Sequence, residues 1–92
     1  MVAGQNERFQ NSIQNFILLE VETGIVFASV ALSSTTEVKR QRTHDNAIKA
    51  YTTAMHFLSQ HPFRQPAAQY KLRDGLRRLK HLLFQLDETF RG

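Results

Sequence analysis

The chain has 92 residues, 41% of them hydrophobic, with no cysteine and a formal net charge of +4. This length fits one domain with a limited core. The absence of cysteine excludes a disulfide scaffold, thiol chemistry and thiolate metal sites, and it fits a reducing, cytoplasmic setting.

The charge is unevenly placed. Residues 1–38 carry one basic side chain (Arg8) against four acidic ones, whereas residues 39–92 carry eleven against four. A basic second half attracts polyanions or an acidic protein face. The beginning of the chain lacks a basic region followed by an apolar stretch, so no secretory leader is expected. The most apolar window, Phe16 to Leu32, contains Glu20 and Glu22. At 17 residues it falls short of the roughly 20 that cross a bilayer, so no membrane insertion is expected.

The first helix is predicted over about 6–33. Phe9, Ile13, Phe16, Gly24, Phe27 and Ala31 share one side at three-and-four spacing, widened by Ile17, Val21 and Ala28. Leu18, Val26 and Val30 carry apolar character to other sides, which predicts more than one neighbour or a second copy of the chain. Gly24 permits close backbone approach.

The run Ser33-Ser34-Thr35-Thr36 predicts a break. Its hydroxyls and Glu37 suit a new helix start near Ser34 or Thr35. The second helix, about 35–60, has Ala47, Ile48, Tyr51, Ala54, Met55 and Leu58 facing inward, with Phe57 towards one edge. Thr43-His44-Asp45-Asn46 offers a later start, which would leave Val38 to Arg42 in a loop. The spacing Ala47-Ile48-x-x-Tyr51-x-x-Ala54-Met55-x-x-Leu58 resembles one helix of a tetratricopeptide-type hairpin or of a microtubule-interacting-and-trafficking type domain. That resemblance covers 12 of the 92 residues and includes no full repeat signature.

Pro62 and Pro66 mark the second connector. Each disfavours helix at the residue before it, and Pro66 suits the first turn of a third helix over about 66–89. There Leu72, Leu76, Leu79, Leu83, Leu86 and Phe90 form a narrow seam. Three helices with short connections predict an all-α, antiparallel, up-down-up bundle in a single domain.

Glu20 falls near the middle of the apolar side predicted for the first helix. A buried carboxylate needs a donor. A hairpin turning near Thr35 sets Glu20 level with Ala50 and Tyr51, so Tyr51 is the expected partner and His44 a second one. His44, His56, His61 and His81 include no pair at the four-residue spacing of a helical metal site, so no metal is expected. No glycine-rich nucleophile turn, phosphate loop or dinucleotide glycine pattern occurs, so neither catalysis nor a cofactor is expected.

Tyr70, Arg73, Arg77, Lys80, His81 and Phe84 fall on a side of the third helix broadly opposite the leucine seam. Aromatic anchors with arginines at the rim suit a protein interface. The same residues could stack on bases and meet phosphates. The sequence therefore predicts a small protein-interaction or oligomerisation module. Its interaction residues are Val26, Val30, Tyr70, Arg73, Arg77, Lys80 and Phe84, and its expected partner is a second copy in a homodimer, or another protein. Nucleic-acid binding on the third helix is the alternative.

Overall fold

A computed structural model describes the backbone of residues 2–91 and the side chains of residues 11–89. It is an all-α antiparallel bundle of three helices, α1 (Val2–Ser33), α2 (Glu37–Gln60) and α3 (Pro66–Arg91), running up, down and up. The molecule is a rod of 55 × 21 × 18 Å. Helix α1 packs most closely on α2 and also on α3, whereas α2 and α3 scarcely touch.

Small side chains make the α1–α2 seam. Gly24, Ala28 and Ala31 of α1 are buried, as are Ala47, Ala50 and Ala54 of α2. A Cβ added to Gly24 would lie 2.9 Å from a methyl carbon of Leu79 and 3.4 Å from the Cβ of Ala50. All three helices therefore meet at this glycine. Leu72, Leu79 and Leu86, at seven-residue spacing, are buried in the core with Ile17 and Val21. Gly75 lets α3 approach α1, because a Cβ there would lie 3.0 Å from Val21.

The buried side of α1 differs in phase from the one expected. Its centre is Ile17, Val21, Gly24, Ala28 and Ala31, whereas Phe16 is exposed and Phe27 half-buried. Phe16 packs edge-on against Phe57 of α2, with ring centroids 5.2 Å apart. The inward side of α2 is rotated likewise. Thr43, Ala47, Ala50 and Ala54 are buried, and Ile48 and Met55 are exposed. Large apolar residues suggested the wrong centre because close helix approach selects small ones. The side chains of Phe9 and Phe90 lie outside the described residues.

The connectors are short. Helix α2 starts at Glu37 with Thr36 as its N-cap, later than Ser34 or Thr35, and Val38 to Arg42 are helical rather than in a loop. The Thr36 side chain makes no capping bond. Arg40 reaches back instead, and its Nη2 donates to the Ser34 carbonyl at 2.9 Å. It thereby brings a cation to the end of α1, whose last turn has no basic residue. Thr43, the one buried polar residue among those described, donates to the Lys39 carbonyl at 2.8 Å. In the second connector Phe63 is buried against the core, and Gln69 Nε2 donates to its carbonyl at 2.7 Å.

The Gly24 contact predicts different costs at two glycines. Gly24→Val should lower the unfolding free energy by about 2 kcal/mol or more, since the core around Leu79 has no room for it. Gly75→Ala should stay within about 1 kcal/mol of the parent, because the helix-propensity gain offsets a contact that Val21 can relieve. Urea unfolding of the two variants checks both, and a fully stable Gly24→Val protein would contradict the close three-helix contact.

Candidate protein-docking surfaces

Because α2 and α3 barely meet, a groove of about 460 Å³ lies between them. Leu58, Phe63, Leu72 and Leu76 supply its apolar lining, and Arg73, Arg77 and Lys80 its basic side. All lining residues come from α2, α3 and their connector. The groove therefore opens on the side of the bundle away from α1.

Helical phase carries the groove further along both walls. Ile48, Tyr51, Met55 and Leu58 repeat at three and four residues, so they share one flank of α2. Tyr51 and Leu58 are half-buried there, whereas Ile48 is 42% and Met55 36% exposed. On α3, Phe84 follows Arg73, Arg77 and Lys80 in the same stripe and is 63% exposed. At ~100° per residue the stripe is centred about 110° from the leucine seam, so Arg73 and Lys80 border the half-buried Leu76 while Arg77 and Phe84 lie further round. Tyr70 is exposed further round the helix. Among the described residues no carboxylate pairs with Arg73, Arg77 or Lys80.

Val26 belongs to a different surface. It lies nine residues, or two and a half turns, beyond the buried Ile17 and so points away from the bundle, 61% exposed. Leu19, exposed, and Val30, half-buried, run along the same outward side with Glu22 between them. The structure thus divides the expected interaction residues between two opposite faces of the rod.

Glu20, Tyr51 and His44 do not form a site together. The Gly24–Ala50 and Phe16–Phe57 contacts set the α1–α2 register and place Glu20 level with Ala54. Glu20 is half-buried on the Phe16 side of α1, away from the centre of the buried face. Tyr51 is on the flank of α2 towards α3, with the alanine seam between the two. His44 is level with Val30, about 15 Å along the axis from Glu20 at ~1.5 Å per residue. Among the described residues no group of three or more histidines and carboxylates could hold a metal ion.

Helix α1 is longer than its most apolar window suggested. From Asn11 to Ser33 it runs 23 residues, with an 18-residue window of mean hydropathy 1.8, and is long and apolar enough to cross a membrane by length and composition. The expectation that this stretch is too short is therefore corrected. Glu20 and Glu22 lie within it.

No known protein family, curated protein or solved structure matches this chain. The resemblance of residues 47–58 to a tetratricopeptide-type or trafficking-domain helix consequently establishes no family membership.

The exposure of Ile48 and Met55 predicts that neither is needed for the fold. Ile48→Gln and Met55→Gln should each change stability by less than about 1 kcal/mol. Ala54→Leu, in the seam one residue away, should cost about 1–3 kcal/mol through overpacking. Thermal unfolding of the three variants separates flank from core, and a large loss in either glutamine variant would place the flank inside the packed interior.

Proposed function

We propose that the chain is a helical protein-interaction module whose groove between α2 and α3 receives an amphipathic helix bearing acidic residues. The observation that carries this reading is an apolar flank of α2, exposed at Ile48 and Met55 and reaching the groove at Leu58, set across a gap from Arg73, Arg77 and Lys80, which have no carboxylate partner among the described residues. An apolar stripe on the incoming helix would cover the leucines, and its carboxylates would meet the cations. Phe84, exposed at one end of the stripe, supplies an aromatic anchor of the kind that dominates interface energetics.

Association is favoured over catalysis because the groove brings together cations and apolar groups without a nucleophile beside a base. The apolar lining also favours a protein helix over a nucleic-acid backbone, which calls chiefly for phosphate contacts. The reading keeps α1 in the bundle, supported by its buried contacts with α2 and α3 on one side and by Glu20 and Glu22 within its apolar stretch.

Titration of the labelled protein with a synthetic peptide tests the proposal. The peptide carries leucines on one helical face and flanking glutamates. It should shift the resonances of Leu58, Leu76, Arg73 and Arg77, and Arg73→Gln/Arg77→Gln should weaken binding about tenfold, within the range of two rim charges. Equal affinity for a peptide with lysines in place of the glutamates would overturn the charge-complementary groove. Displacement of the peptide by a single-stranded oligonucleotide, with a steep salt dependence, would assign the basic stripe to nucleic acid instead.

A further inference from the structure

We infer that the helix received by the groove is α1 of a second copy of this chain, so that the molecules associate head to tail. The inference rests on the groove reading above and names its occupant. The chain itself presents the matching surface. The outward side of α1 carries Leu19, Val26 and Val30 with Glu22 among them, and no lysine or arginine occurs between Arg8 and Lys39. It is therefore apolar with an acidic character, whereas the groove is apolar with a basic one. The dimensions agree too. Leu19 and Val30, like Arg73 and Phe84, lie eleven positions apart, about 16 Å at ~1.5 Å per residue.

Geometry then dictates the kind of assembly. The α1 face points away from the bundle on one side, and the groove opens on the other. Two copies related by a twofold axis cannot each insert α1 into the other's groove, because one molecule's two surfaces face opposite directions. The contact is heterologous: every bound copy leaves one free groove and one free α1 face. Growth continues beyond two copies unless a ring closes. A contact of about three helical turns is small beside a standard interface, so the association is weak and depends on concentration.

Sedimentation equilibrium from micromolar to millimolar protein tests this with two variants. Leu19→Lys/Val26→Lys blocks the α1 face and leaves the groove intact. Met55→Gln/Arg73→Gln/Arg77→Gln weakens the groove and leaves the α1 face intact. All of these positions are exposed, and circular dichroism confirms that both variants fold. The wild-type mass is expected to rise continuously past that of a dimer, and each variant alone should remain a monomer. An equimolar mixture of the two variants retains one working face and one working groove, so it should form a one-to-one dimer and stop there. A wild-type protein that stays monomeric, a discrete dimer that does not grow, or a mixture that remains monomeric would each overturn the inference. If the acidic peptide still binds the groove of a monomeric wild type, the groove reading stands and only its occupant is wrong. If the peptide also fails to bind, both readings fall.

Discussion

The contact of Gly24 with Ala50 and Leu79 governs how the other side chains are distributed, because all three helices converge on a position with no side chain. Glycine in the interior of a helix lowers its propensity by about 1 kcal/mol, a cost offset here by the packing it allows. Alanines before and after the contact keep α1 and α2 close over several turns. Two helices that approach through small residues cannot hold large ones between them. The bulky groups are displaced to the flanks, Phe16 and Phe57 on one side and Tyr51, Met55 and Ile48 on the other. On the first flank two rings cover each other. On the second, Tyr51 is half-buried but α3 stands too far from α2 to cover Ile48 and Met55, and the groove results from that mismatch.

The electrostatic layout follows the same division. Helix α1 contributes buried apolar surface, three glutamates and a single cation, Arg8, whereas the other cations are concentrated on the later helices. One cation returns to serve α1, since Arg40 meets the carbonyl of Ser34 where unsatisfied backbone acceptors collect. Among the described residues the Arg73, Arg77 and Lys80 side chains have no such internal duty. Their positions beside the half-buried Leu58 and Leu76 turn a general excess of positive charge into a local pattern along one apolar border.

Much of the architecture was legible in the sequence. The two prolines and the return of leucine spacing at Leu72 mark the start of α3, and the hydroxyl run before Glu37 marks the first turn. The orientation of α1 and α2 about their axes was harder to read, because apolar residues occur on several sides of each. Weighting Phe16, Phe27, Ile48 and Met55 as core rotated both faces and set Glu20 too near the centre. The alanine and glycine periodicity through Gly24, Ala28 and Ala31 carried the better signal. Phe63 was readable only as part of a connector, since nothing local to His61-Pro62-Phe63 reveals that the ring turns inward. Arg73, Arg77, Lys80 and Phe84 were recognisable as a stripe. That they border a groove depends on the spacing between α2 and α3, which no short-range pattern encodes.

The sparse contact between α2 and α3 also bears on cooperativity. Helices α1 and α2 are neighbours in sequence and closely packed, so they form the most self-sufficient unit, while α3 is held along one side only. Opening of α3 away from that pair is the least costly way to loosen the molecule, and backbone amides along α3 would exchange before those of the α1–α2 seam. A helix lodged between α2 and α3 would tie the free edge down and raise the cost of that opening. Occupancy of the groove and global stability are then thermodynamically linked, with the folded state gaining RT ln(1 + [L]/Kd) from any ligand it alone can hold. In this bundle the third side of the triangle, between α2 and α3, is the loosely packed one.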